Sequence, residues 1–141
     1  MSDRQKPLVW KPEISVGHLG LDGEHRYFIE LLNRLALLLV SKAPLQEVIE
    51  LLVILEAETE IHFQHEEQVL EQTDYPLIED HADRHRVLLE SIIQTRHALE
   101  SRTQADMTAE AKRIDDLRTR MIEHILSEDM SIRQHMESKR D

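Results

Sequence analysis

The chain is 141 residues long, carries a formal charge of −11 and contains no cysteine. That length fits one domain with a single core; the missing thiols exclude disulfides and thiolate metal sites, and the acidic balance argues against nucleic acid as a partner. Few glycines, prolines and aromatics, with abundant Leu, Ile, Glu, Arg, Gln and Ala, favour an all-α protein over a sheet protein.

Residues 1–20 carry Pro7, Pro12, Gly17 and Gly20 and read as an irregular N-terminal arm with Trp10 as its large apolar anchor. No apolar secretory stretch and no membrane span is present, so a cytoplasmic protein is the expectation. A first helix is expected from Leu21 to about Val40, through Leu21, Phe28, Ile29, Leu32, Leu35 and Leu39, with Asp22 as a cap and His25 on the apolar stripe. A second runs from Leu45 to about Gln72 through Val48, Leu51, Leu52, Leu55, Phe63, Val69 and Leu70, and His62 and Glu66 extend its stripe.

The run Thr73-Asp74-Tyr75-Pro76 breaks that pattern, and a third helix is expected from Pro76 to about Ser101 on a stripe of Ile78, His81, His85, Leu88, Leu89, Ile92 and Leu99. After a polar loop at 102–106, the fourth runs from about Met107 to near His135 through Ile114, Leu117, Met121, His124, Ile125 and Ile132. Short connections between four comparable helices imply an antiparallel up-down-up-down bundle over 21–141. The charge runs Glu56–Glu60 and Arg113–Arg120 read as solvated helix faces. Leu37 to Val40 with Leu51 to Leu55 read as core, or else as an apolar strip for self-association.

Five histidines and two carboxylates thus fall on inward faces, where unpaired polar groups cost several kcal/mol or more per ion. Residues four apart differ by about 40° around an α-helix, so His62/Glu66 and His81/His85 each aim at one point. His124 and Asp129, five apart, differ by about 140° and could only approach a larger centre from two flanks. Imidazole and carboxylate suit zinc, iron, manganese, copper or nickel. Seven ligands are too many for one tetrahedral ion. Two six-coordinate ions offer twelve positions; five histidines, two bridging carboxylates and one bridging oxygen fill eleven and leave one open.

The runs Asp22-Gly23-Glu24-His25, His62-Phe63-Gln64-His65-Glu66-Glu67, His81-Ala82-Asp83-Arg84-His85 and His124-Ile125-Leu126-Ser127-Glu128-Asp129 resemble, in order, the ligand motifs of the hemerythrins, the bacterial ones above all. The resemblance implies two iron ions per chain with an oxo or hydroxo bridge. His81, His85 and His124 would hold one ion, His25 and His62 the other, with Glu66 and Asp129 bridging. The open position then falls on the two-histidine ion. The resemblance implies reversible dioxygen binding as carrier, store or local supply, without substrate turnover.

Phe28, Phe63, Leu88 and Ile125 flank the ligands and would form an apolar oxygen pocket. Arg120 stands where the family carries an aromatic, one turn before His124; it either lines that pocket or, the favoured reading, extends to solvent. Ile132 replaces a second aromatic. His18, His65, His97 and His135 read as surface residues, with Gly17-His18 near enough to approach the site. Outside the ligands no positioned acid, base or nucleophile is evident, so no enzyme is expected. Two other roles remain open: a sensor domain joined to a downstream signalling module, consistent with the abrupt end at Glu137–Asp141 after a long fourth helix, and a di-iron peroxide or nitric oxide reductase.

Overall fold

A computed structural model describes residues 6–139, except the side chains of Glu128 and Asp129. Four long helical segments form the bundle: α1 (Leu19–Val40), α2 (Leu45–Gln72), α3 (Ile78–Glu100) and α4 (Met107–Glu123). The last continues through a π turn (His124–Glu128) into α5 (Asp129–Ser138). Each long helix packs on its neighbours in sequence, and α4 closes the ring against α1. Among the described residues there is no strand, and no helix is long and apolar enough to cross a membrane.

The expected apolar stripes are the buried ones, and they separate into two clusters. The larger gathers Phe28, Leu32, Leu35, Leu51, Leu52, Leu55, Phe63, Leu88, Ile92, Ile114, Leu117 and Ile125. The smaller gathers Val16, Leu21, Val69, Leu70, Tyr75, Ile132 and Met136 at the other end. In sequence, His25 falls between Leu21 and Phe28, Glu66 between Phe63 and Val69, and His81 and His85 between Tyr75 and Leu88. A polar layer therefore lies between two apolar ones.

Helix ends differ from expectation where side-chain hydrogen bonding outweighs propensity. α1 begins at Leu19 because His18 is its N-cap, accepting the Leu21 amide on Nδ1 at 3.1 Å. Asp22 is not the cap: it sits within the helix and accepts from the Val16 amide at 2.9 Å and the Ser15 hydroxyl at 2.5 Å, tying down the arm. α1 ends in a left-handed Lys42 (φ 55°), with the Ala43 amide returning to the Leu38 carbonyl. α2 repeats the device at Asp74 (φ 57°), where the Tyr75 amide bonds Leu70 O. That turn, rather than Pro76 alone, stops α2, and α3 starts at Ile78, two residues later than the proline implied.

The arm packs on the bundle through more than its tryptophan. Arg26 lies over the Trp10 ring at 3.9 Å, and Asn33 pairs with the backbone of Leu8 in both directions at 2.9 Å. Arg133 donates to the Glu13 carbonyl. Arg118 departs from the expected solvated face: it is fully buried and donates to Leu32 O at 2.7 Å and Lys6 O at 3.2 Å. Burial pulls its pKa down and nearby Asp115 opposes that pull, so the guanidinium stays charged while holding α1, α4 and the arm together.

The expected core at Leu37 to Val40 divides. Leu38 and Leu39 pack against the large cluster while Leu37 and Val40 are exposed, and Leu51, Leu52 and Leu55 are buried while Val53 and Ile54 are exposed.

Candidate metal centre

Five of the predicted ligands come together around a sixth. Glu66 is completely buried on α2, and its two oxygens face opposite ways. Oε2 lies 3.3 Å from His25 Nε2 and 3.1 Å from His62 Nε2; Oε1 lies 2.5 Å from His81 Nε2 and 3.2 Å from His85 Nε2. The donors fall into two compact groups that share this carboxylate, His25, His62 and Glu66 on one side and Glu66, His81, His85 and His124 on the other, with ligand atoms in each group within 4.8 Å of one another. The i,i+4 spacing of His81 and His85 and the single-turn step from His62 to Glu66 produce this directly.

Position 129 belongs to the set by sequence, but its side chain lies outside the described residues. The backbone nevertheless corrects one expectation. An α-helix would set positions 124 and 129 about 140° apart. The π turn at His124–Glu128 instead closes i→i+5, bringing positions five apart onto one face. Sequence reading assumed uniform α geometry and so could not see it.

The outer hydrogen bonds fix how the imidazoles present themselves. Glu24 accepts from His62 Nδ1 at 2.6 Å, and Glu67 accepts from His85 Nδ1 at 2.8 Å. An ionised carboxylate only accepts, so each ring carries its proton on Nδ1 and turns an Nε2 lone pair inward. For His85 that inward Nε2 is buried and has no hydrogen-bond partner among the described residues, although it faces Glu66 Oε1. A lone pair aimed at a carboxylate oxygen across 3.2 Å is repulsive unless a cation lies in reach of both. The residues present therefore fit a metal.

Electrostatics agree. Burial raises the Glu66 pKa, but the four histidines gathered around it, His25, His62, His81 and His85, outweigh it and hold the carboxyl ionised, well below the usual range. His124 goes the other way: burial, reinforced by neighbouring His85, lowers it to about 3, so it is neutral and ligand-ready at neutral pH. For His62 burial lowers the pKa, while the bond to Glu24 and the nearby Glu66 carboxylate outweigh it and raise it. For Glu24 burial raises the pKa, and bonds from His62 and His65 leave it lowered.

Phe28, Phe63, Leu88 and Ile125 are all buried beside the ligands. Phe28 meets the His62 ring edge-on at 4.9 Å, and Phe63 stacks flat on His85 at 3.7 Å between ring centres. Arg120 is exposed and donates to the Ser91 hydroxyl at 3.0 Å. It stands at the wall of a groove of about 370 Å³ that also touches Leu88 and His124. A smaller cavity, about 110 Å³, lies at the other half between α1 and α2, lined by Glu24, Tyr27, Phe28, Glu58, Ile61 and His62.

Glu24, Glu67 and His65 escaped the sequence reading. The two carboxylates sit one residue from a ligand, about 100° round the helix, where they reach a histidine on the neighbouring helix; the rule that a ligating histidine donates its outer N–H to a carboxylate would have found them. His65 is half-exposed rather than a free surface residue, and its Nδ1 bonds Glu24 at 2.6 Å. His18 meets His65 edge-on at 6.0 Å, His135 bonds Thr73 at 3.0 Å, and His97 is exposed.

A four-helix bundle with histidines and a shared carboxylate between its apolar layers defines a bundle-core metal protein. Residues 19–134 match the model of the hemerythrin HHE cation binding domain, and the chain belongs to the hemerythrin family. A bacteriohemerythrin from Stenotrophomonas maltophilia (strain R551-3) is 33% identical over 91 residues, which cover 63% of this chain and 58% of that protein. The chain thus matches rather more than half the length of that relative.

Proposed function

We propose that the chain binds dioxygen reversibly at a centre of two iron ions and serves as an oxygen carrier, store or local supply. The observation that carries this is Glu66, whose two oxygens face two separate histidine groups, as a carboxylate bridging two ions must. His81, His85 and His124 would hold one ion and His25 and His62 the other, with Asp129 as the second bridge. Two bound iron(II) ions would supply the two electrons that dioxygen takes up.

The chain's own residues do the rest. Two six-coordinate ions held this way would leave an open position on the side with fewer histidines, where His62 and Phe28 line the 110 Å³ cavity together with Glu24 and Glu58. Phe28, Phe63, Leu88 and Ile125, all buried beside the ligands, limit the access of water, which favours a bound gas over its displacement by water. Glu24 and Glu67 keep His62 and His85 in the Nδ1–H form. Arg120, exposed and paired with Ser91, stands at the outer wall of the groove beside Leu88 and His124. None of these groups is set to act as a general acid or base on a substrate, which favours binding over turnover.

Anaerobic iron loading of the purified chain, followed by cycles of air and evacuation, tests the reading. Two irons per chain and an optical change that reverses with oxygen are expected. A single iron, native zinc, or steady consumption of a reductant with peroxide or nitric oxide would replace it with another function.

A further inference from the structure

We propose that His65 is a positioning residue for the two-histidine half of the centre, acting through Glu24. The inference rests on the metal reading of His62 and deepens it. Glu24 is one-third exposed, and its oxygens are divided: Oε1 takes the His62 Nδ1 proton and Oε2 the His65 Nδ1 proton, both at 2.6 Å. His62 is buried, with 4% of its side chain accessible, whereas His65 is 37% accessible. The two histidines lie three apart on α2, on nearly one face, so one carboxylate from α1 spans both.

This pair of short bonds decides what His62 offers the metal. With its proton held on Nδ1, its lone pair stays on Nε2, which lies 2.9 Å from His25 Nε2 and 3.1 Å from Glu66 Oε2. The His85 half differs, because Glu67 is not shared with a second histidine by any bond among the described residues. Glu24 also lines the 110 Å³ cavity alongside a second carboxylate, Glu58. Without the His65 donor, water and the repulsion from Glu58 would compete for Glu24 and loosen its hold on His62. His18, edge-on to His65 and capping α1, limits how far the His65 ring can swing. A solvent-facing side chain thereby sets the ligand geometry of one half of the centre.

The test compares the whole chain with His65→Leu and His65→Gln, the second retaining an N–H donor. Zinc titration and nitrogen-15 spectra of the histidine rings, in metal-free and zinc-loaded protein, provide the readouts. In His65→Leu, one of two zinc equivalents should bind roughly tenfold more weakly, the size usual for loss of an outer partner; the His62 Nδ1–H signal should broaden by exchange while that of His85 stays sharp. His65→Gln should restore both. Unchanged zinc affinity and an unchanged His62 signal in His65→Leu would overturn the proposal, as would equal weakening of both zinc equivalents. If the unaltered chain takes up no zinc, the metal reading fails by itself, and the metal-free spectra still decide whether His65 governs His62.

Discussion

The site is built from side chains that are individually unfavourable. A neutral His124 costs little, but charging it in its buried position is opposed strongly enough to bring its pKa to about 3. The unfolded chain binds that proton near pH 6.5, so between about pH 6.5 and 3 the unfolded state holds one proton more than the folded one. Stability of the metal-free protein must therefore fall as pH falls through that window, by about 1.4 kcal/mol per pH unit for this residue. Glu24 adds to the loss at acid pH: its folded pKa is depressed, so its contribution is present above its unfolded value and disappears as pH drops through the folded one. His62, with a raised pKa, contributes in the opposite sense and loses its share as pH rises. In His124→Phe, urea titrations of metal-free protein from pH 6.5 to 3 should show a slope shallower by about one proton; an unchanged slope would contradict the burial argument. Thr59 gives a simpler case. Its hydroxyl is fully buried without a hydrogen-bond partner among the described residues, so Thr59→Val should stabilise the protein by about 1 kcal/mol, read as a higher urea midpoint at constant slope.

At the scale of elements, the arm is held by a buried cation more than by an apolar anchor. Arg118 reaches the Leu32 carbonyl on α1 and the Lys6 carbonyl on the arm, and truncation would leave those carbonyls and Asp115 without its charge. Arg118→Leu should cost about 3 kcal/mol, the usual size for breaking a buried charged pair from one side. It should also make the Lys6–Trp10 segment sensitive to limited proteolysis while the metal ligands remain in place. Much of the architecture was legible beforehand because period is a strong signal. α2 follows its stripe from Leu45 to Gln72, and His62 with Glu66 and His81 with His85 share a face as their i,i+4 spacing dictates. What escaped was what period does not encode. Arg118 looked like one charge in a solvated run, since a sequence does not show that a backbone carbonyl waits opposite it. The π turn at His124–Glu128 changes the angular count within one helix, and the helix caps at His18 and Asp74 rest on local bonds of residues that propensity treats as neutral. His65 was passed over because a donor three residues from a ligand matters only once α1 brings a carboxylate between them.

Across the whole molecule, the polar layer divides one bundle into two apolar bodies. The larger is formed by the inner faces of all four long helices; the smaller joins the arm, the start of α1, the α2–α3 turn and α5. Between them stand His25, His62, Glu66, His81, His85 and His124, through which a bound cation would tie the two bodies to one another. The consequence concerns cooperativity. A metal that binds the folded layer and not the unfolded chain stabilises both bodies at once and couples their opening. Metal-free protein should therefore exchange amide hydrogens in two tiers, with Val69–Tyr75 and Ile132–Met136 opening at lower free energy than Leu51–Leu55 and Ile92–Leu99. On loading with metal the two tiers should merge into one. Hydrogen exchange followed by mass spectrometry, with and without metal, measures this, and a single tier in the metal-free protein would show that the apolar bodies need no ion to unfold together. On this view, the residues that collect the ligand also decide whether the chain behaves as one folding unit or two.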